Sequence, residues 1–115
     1  MKNKISVLRK RPEFLAVAAT GKKFVAPGFI LQLGAKREGA AARYGLTATV
    51  KIGNAVIRNR ARRRLRELAC DVLASHADVT RDYVLIARRD TATRDFAAMK
   101  EELAGALRKM GAWRE

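Results

Sequence analysis

The chain has 115 residues, and 49% of them are hydrophobic, so it can form one compact core and is too apolar for a disordered tail. Its 25 Lys and Arg outnumber 11 Asp and Glu, and the net charge of +14 predicts a polyanionic partner. A single cysteine, Cys70, excludes an internal disulfide, and no apolar run reaches the ~18 residues of a membrane-spanning helix, so we expect one cytoplasmic domain over residues 1–115 that binds no membrane.

The N-terminal part is predicted to be a basic arm followed by a short helix. Residues 2–11 carry the charge of the arm, and we expect residues 1–8 to be disordered in part. Pro12 suits the first turn of a helix, because its missing N–H has no partner there in any case. Phe14 begins a short apolar face, and Gly21 can end the helix.

Two strand regions follow the first helix. Pro27 and Gly28 interrupt residues 22–35, so residues 29–33 are the firmer strand and the segment before Pro27 is an edge strand or a bend. After a loop over residues 36–43, residues 44–50 alternate between apolar and polar side chains, as expected of a strand. Thr47 and Thr49 share its polar face and can offer hydroxyl groups to a ligand.

An arginine-rich helix is predicted next, over residues 55–75, with Asn54 as its N-cap. Its apolar residues recur with the helical period, which leaves the remaining surface to arginine. Residues 58–66 hold six arginines in nine positions, and residues 52–66 contain no Asp or Glu. Like charges this close repel each other, so the run favours a polyanion, and the guanidinium fork suits phosphate. A solvated helix face, a membrane surface or a helix-gripping partner are the alternatives.

The last third of the chain is predicted to be scaffold, with one strand and one helix. Residues 83–87 are continuously apolar, as in a central strand covered on both faces. Thr93 can cap a closing helix that ends at Gly111. The predicted order is α-β-β-β-α-β-α, which gives an α+β fold as a two-layer sandwich of helices on a small sheet.

No catalytic or metal-binding set stands out in the sequence. His76 has no second His or Cys at ligand spacing, and the carboxylates show no paired arrangement. Residues 1–66 hold 17 of the 25 Lys and Arg. Aromatic residues in this basic half belong to the core or stack on unpaired bases, and Phe14 is the strongest candidate for stacking. We therefore predict no catalytic and no metal-ligating residue in the chain.

One segment resembles a known family. Residues 51–67 read Lys-Ile-Gly-Asn-Ala-Val-Ile-Arg-Asn-Arg-Ala-Arg-Arg-Arg-Leu-Arg-Glu, which is similar to the signature of the bacterial ribonuclease P protein component. The strand at residues 45–49 and the strand at residues 82–88 occur in the order of that family. The resemblance covers roughly residues 8–110.

The resemblance implies a fold and a function. The fold would contain a left-handed βαβ crossover over residues 51–83, although ~98% of such connections are right-handed. The chain would be the accessory subunit of a ribozyme that removes the 5′ leader from precursor tRNA. Its partners would be ribonuclease P RNA, with one protein per RNA, and precursor tRNA. The RNA subunit would perform the hydrolysis with Mg²⁺.

The resemblance also implies two sets of site residues. The RNA-subunit face would consist of Arg58, Asn59, Arg60, Arg62, Arg63 and Arg66. A cleft between the first helix and the sheet would hold the leader, lined by Phe14, Phe29, Thr47 and Thr49, with Lys51 at the glycine-rich corner. Ala18, Gln32 and Val50 stand where relatives often have an aromatic residue, Tyr and Lys, so we expect a less aromatic and less basic cleft.

Three other functions fit parts of the pattern. A generic structural RNA-binding protein of ribosomal type would share the basic helix. A DNA-binding regulator would need mixed base-reading residues and a preceding helix joined by a short turn. A protein-only nuclease would need a carboxylate cluster for metal.

Overall fold

The computed structural model describes residues 5–39 and 41–114. Five strands form one sheet in the order β1-β4-β5-β3-β2. The strands are β1 (Ser6–Val7), β2 (Lys23–Ala26), β3 (Phe29–Leu33), β4 (Arg43–Thr47) and β5 (Asp82–Ala87). The helices are α1 (Arg11–Ala19), α2 (Ala55–Leu68), α3 (Ala74–His76) and α4 (Phe96–Lys109), with short 3-10 turns at Val50–Ile52 and Arg89–Ala92 and a π-helical turn at Ala69–Leu73 that joins α2 to α3.

Helix α1 is bounded as predicted. Pro12 lies in its first turn, and the Glu13 carboxylate accepts hydrogen bonds from the backbone N–H groups of Arg9 and Lys10 at 3.0 and 2.9 Å. These two N–H groups would otherwise lack partners at the helix start. Gly21 follows the helix with a φ of 71°, a conformation that favours glycine.

The centre of the sheet is β5, which confirms the prediction of a covered central strand. It pairs in parallel with β4 and antiparallel with β3. Strands β2 and β3 form a hairpin across Pro27 and Gly28, and β2 lies at the sheet edge, as predicted for the segment before Pro27. Because α2 joins the parallel neighbours β4 and β5, the expected βαβ unit is present, and its left hand stays a prediction.

Helices lie on both faces of the sheet, since alternate residues of β5 contact different helices. Val84 belongs to a small cluster with Val17 of α1, whereas Leu85 belongs to the main core with Leu65 of α2 and Leu103 of α4. Neighbouring residues of a strand point to opposite faces. The α+β class is therefore confirmed, with three layers rather than the two expected.

Part of the segment predicted as a basic arm pairs with the sheet. Residues 5–8 are ordered against the sheet, because Ser6–Val7 pair in parallel with β4 and Leu8 is only 4% exposed beneath α1. Burying an apolar side chain such as Leu8 offsets the entropy lost on ordering this segment. Residues 1–4 lie outside the described range.

Two element boundaries also differ from the prediction. Strand β4 ends at Thr47 rather than continuing to Val50, because its pairing with β5 ends at the pair of Thr47 and Ile86. Helix α4 is capped by Asp95, which accepts a hydrogen bond from Ala98 N at 3.0 Å, and not by Thr93. The predicted cap of α2 is confirmed, since Asn54 accepts from Ile57 N at 3.0 Å.

Candidate nucleic-acid interface

The α2 arginine surface consists of Arg58, Asn59, Arg60, Arg62, Arg63 and Arg66. It faces outwards because the opposite side of α2 is anchored in the core by Ala61, Leu65 and Leu68, which are fully buried. Five of its six members are exposed, and Arg58 is partly buried. The apolar period of the helix therefore fixes where the arginines point.

The α2 arginine surface is not neutralised by acidic side chains in the described part of the chain. Ion pairs within 4.0 Å there involve Arg37, Arg43, Arg81 and Arg94, and none reaches a member of this surface. Arg62 donates a hydrogen bond to the backbone carbonyl of Ala48 at 3.3 Å. The surface thus presents a dense positive field to solvent.

A cleft lies beside this surface, between α1 and the end of β4. Phe14 covers Gly45 so closely that a Cβ atom at position 45 would be 2.4 Å from the ring. Thr47 lies two residues further along β4, on the same face. The cleft encloses about 440 Å³ and is lined by Arg9, Arg11, Phe14, Leu46, Thr47, Ala48 and Arg62.

The structure thus brings together two of the predicted leader-binding residues, Phe14 and Thr47. Arg9 and Arg11 at the rim were not predicted as site residues, although their charge just before Pro12 was the available signal. Arg62 belongs to both the cleft and the α2 arginine surface. The two candidate surfaces are therefore continuous.

Phe29 was wrongly predicted to line the cleft. It is fully buried in the main core and pairs with Ala87, on the sheet face opposite α1. Strand alternation instead turns Ile30 and its partner Ile86 towards the α1 side. The register of β3 cannot be predicted from local sequence, and neither can the sheet face on which Phe29 lies.

Two further predicted residues lie outside the cleft lining. Thr49 and Lys51 are exposed on the connection between β4 and α2, where Thr49 precedes the 3-10 turn that contains Lys51. Neither side chain is among those that enclose the cleft. Their contact with a leader stays a prediction.

The three departures from the family pattern occupy different places. Ala18 is exposed on α1, Gln32 is half-buried on β3, and Val50 is 72% exposed. Gln32 pairs with Val84 and shares the α1 face of the sheet. Gln32 therefore faces the same side of the sheet as the cleft.

An ion-pair network holds α1 and the sheet together beside the cleft. Arg43 bridges Glu13 of α1, at 3.1 Å, and Asp82 of β5, at 2.6 Å, and Arg37 adds a second bond to Asp82 at 2.8 Å. Burial opposes the charge of Asp82, but the hydrogen bonds from Arg43 and Arg37 outweigh it and lower the pKa of this carboxyl. The network therefore fixes the helix that carries Phe14.

The His76 ring packs against a neighbouring aromatic side chain. Its ring stacks on Trp113, with 4.1 Å between centroids, and Arg108 lies 4.0 Å from the centroid of the same indole. Across the described ranges, no group of three or more His, Cys, Asp or Glu side chains is placed to hold a metal ion. No helix in these ranges is both long and apolar enough to cross a bilayer.

Comparisons with known proteins agree on one family. The family model described as Ribonuclease P matches residues 1–111. The ribonuclease P protein component of Paramagnetospirillum magneticum is 42% identical over 116 residues, covering 97% of this chain and 87% of the relative. That of Erythrobacter litoralis is 46% identical, covering 95% and 88%.

Solved structures support the fold. The ribonuclease P protein of Thermotoga maritima superimposes with a TM-score of 0.74 at 26% identity, covering 90% of this chain and 96% of that one. The Staphylococcus aureus protein gives a TM-score of 0.77 at 24% identity, covering 96% and 100%. From the family model and the two relatives, the chain belongs to the ribonuclease P protein family.

Proposed function

We propose that the chain acts as the protein subunit of ribonuclease P by holding the RNA subunit on the α2 arginine surface and the single-stranded 5′ leader of precursor tRNA in the cleft. The observation that carries this proposal is the outward α2 arginine surface, which none of the described ion pairs engages. Ribonuclease P is an endoribonuclease, and the chain contributes binding and charge to it.

The α2 arginine surface is suited to folded RNA. Folded RNA exposes phosphates and 2′-hydroxyls rather than readable base edges, so its recognition depends on backbone and shape. Guanidinium groups donate paired hydrogen bonds to phosphate, and a rigid helix holds them at fixed spacing. Because α2 is anchored by buried leucines, these groups keep their arrangement before the RNA arrives.

The cleft is suited to an unpaired leader. Phe14 offers a ring for base stacking, Thr47 offers a hydroxyl, and Arg9 and Arg11 can neutralise leader phosphates at the rim. Stacking accepts every base, so we expect little sequence preference. Arg62 lies where the cleft meets the α2 arginine surface, which would place the leader next to the RNA subunit.

The remaining features of the assembly follow from the resemblance. We assign the hydrolysis of the phosphodiester bond to the RNA subunit, with Mg²⁺ as its cofactor. We expect one chain per RNA and a cytoplasmic location, which a single cysteine suits. The role of the chain is to lower the repulsion between two polyanions, the RNA subunit and its substrate, through a net charge of +14.

Cleavage of precursor tRNA at low Mg²⁺ tests this function. Ribonuclease P RNA alone should cleave poorly under these conditions, and addition of the purified chain should restore cleavage at the mature 5′ end. A basic ribosomal-type protein of equal net charge is the control. Rescue by both proteins would support only generic RNA binding, and no rescue by the chain would contradict the proposal.

A further inference from the structure

Arg64 differs from the other arginines of the run on α2. Its Nη1 donates a hydrogen bond to the carbonyl of Thr91 at 2.8 Å, and its Nη2 donates to the carbonyl of Arg94. Its guanidinium also lies 5.8 Å from the ring centroid of Phe96. These contacts direct Arg64 towards the segment before α4, away from the surface available to RNA.

Thr91 extends these contacts to the β2–β3 hairpin. Its side chain is fully buried, and its hydroxyl donates to the carbonyl of Gly28 at 2.6 Å while it accepts from Arg88 N at 2.7 Å. Arg88 in turn donates to the carbonyl of Ala26 at 2.7 Å. We call Arg64, Thr91, Gly28 and Arg88 the Thr91 network; it joins α2 to both sides of the hairpin turn.

The hairpin turn is also held by a second contact, with α4. A Cβ atom at Gly28 would be 2.6 Å from the sulfur of Met99, so the turn lies directly on α4. Two residues after Gly28, Ile30 pairs with Ile86, which pairs with Thr47 of the cleft. A shift of the turn relative to α2 would therefore be passed through Ile30 and Ile86 to Thr47 in the cleft.

We infer that Arg64 is a positioning residue: through the Thr91 network it fixes the β2–β3 hairpin relative to α2, and through β5 it fixes Thr47 of the cleft relative to the α2 arginine surface. The inference rests on the proposed function, because it assumes that α2 binds the RNA subunit and that the cleft holds the leader. Arg64 touches neither ligand. It acts on the leader only through the position of Thr47 on β4.

Four variants test the network in the reconstituted holoenzyme. Arg64→Met removes the donors and keeps most of the apolar stem, Arg64→Lys keeps the charge but cannot bond both carbonyls as the fork does, and Thr91→Val removes only the hydroxyl. The fourth variant combines Arg64→Met with Thr91→Val. Met110→Ala is the control, because Met110 packs against the main core and takes part in none of the hydrogen bonds of the network.

Three quantities are measured for each protein: the affinity for the RNA subunit, the thermal midpoint of the free chain, and the leader contribution. The leader contribution is the ratio of holoenzyme affinities for precursor tRNA and for mature tRNA. We expect it to fall roughly threefold to tenfold in each single variant, within the range of coupling between packed sites. The combined variant should lose no more than the worse single one, since both changes break one network.

The other two quantities separate positioning from the competing explanations. Affinity for the RNA subunit and its salt dependence should stay unchanged, and Met110→Ala should lower only the thermal midpoint. If Arg64→Met lowers the affinity for the RNA subunit while Thr91→Val leaves it unchanged, Arg64 binds RNA directly and the inference is wrong. If all variants lower only the thermal midpoint, the network is merely structural, which also overturns it.

Failure of the proposed function itself has a different signature. If the wild-type holoenzyme shows no leader contribution, the cleft does not bind the leader, and the positioning role of Arg64 is contradicted as well. A normal leader contribution in the wild type and in all network variants would overturn the positioning role alone. Loss of the leader contribution in the network variants but not in Met110→Ala would support both.

Discussion

Phe14 shows how one side chain can be both packed and available. Its ring lies over Gly45, which leaves no space for a Cβ atom, and its other contacts are with the small cluster beneath α1. The ring is nevertheless only partly buried and lines the cleft beside Thr47. Glycine at position 45 therefore lets the Phe14 ring come close to the sheet at the cleft.

Replacing Phe14 with Ala should weaken binding of precursor tRNA and spare mature tRNA. Loss of one base–aromatic stack costs ~1–3 kcal/mol, so precursor affinity should fall between about fivefold and a hundredfold. Equilibrium binding of both tRNAs to the holoenzyme measures this. Equal losses for the two tRNAs would indicate that Phe14 supports the fold rather than the leader.

Replacing Gly45 with Ala should also weaken the binding of precursor tRNA, because it moves the Phe14 ring instead of removing it. The added methyl group would displace the Phe14 ring, and overpacking of this kind costs about 1–3 kcal/mol of stability. Urea unfolding should show the lost stability, and the holoenzyme should show a reduced preference for precursor tRNA. A stable variant with normal precursor binding would mean that the ring has room to move without consequence.

At the scale of elements, α1 depends on charge as well as packing. The Arg43 guanidinium joins Glu13 of α1 to Asp82 of β5, and Arg37 holds Asp82 from the other side. Backbone hydrogen bonds from Lys10 and Arg9 lower the pKa of Glu13. Both carboxyl groups thus favour the folded protein when they are ionised.

The network predicts loss of stability in acid. Because the folded pKa of Asp82 lies below its ordinary value of 3.8, its contribution is complete above that value and is lost as the pH falls through the folded pKa. Unfolding free energies of the wild type and of Asp82→Asn, measured from pH 6 to pH 2, test this.

The asparagine variant should be less stable at pH 6 by about 1–3 kcal/mol, because Arg43 and Arg37 lose a charged acceptor. It should also lose less stability on acidification than the wild type does. Parallel curves for the two proteins would show that Asp82 does not carry the acid sensitivity.

Elements with strong local signals could be predicted from the sequence. Asn54 and the apolar period located α2, and a continuous apolar run identified β5 as central. Register and sheet face could not be predicted, because they depend on pairing between distant segments. The family resemblance puts Phe29 in the cleft, whereas the pairing of β3 with β5 puts it in the core. The pairing of Ser6–Val7 with β4 likewise has no local signal in the sequence.

At the scale of the whole molecule, the charge is divided unevenly. Residues 1–66 hold 17 of the 25 Lys and Arg, so the positive charge is already concentrated in this part of the sequence. The structure gathers Arg9, Arg11 and Arg62 at one cleft, which the sequence could not show because α1 and α2 are far apart in the chain. Position, rather than total charge, therefore distinguishes the binding surface.

The most direct test compares two double variants that each remove two positive charges. Arg60→Ala with Arg63→Ala changes the α2 arginine surface, and Lys22→Ala with Lys36→Ala changes two exposed lysines outside it. Affinity for ribonuclease P RNA is measured by filter binding over a range of salt concentrations. Each lost phosphate contact should reduce the slope of log affinity against log salt by about 0.7–0.9.

We expect the arginine pair to weaken binding and flatten the salt dependence, while the lysine pair leaves both nearly as in the wild type. Equal effects of the two pairs, or no effect of the arginine pair, would contradict the assignment of α2 as the helix that holds the RNA subunit.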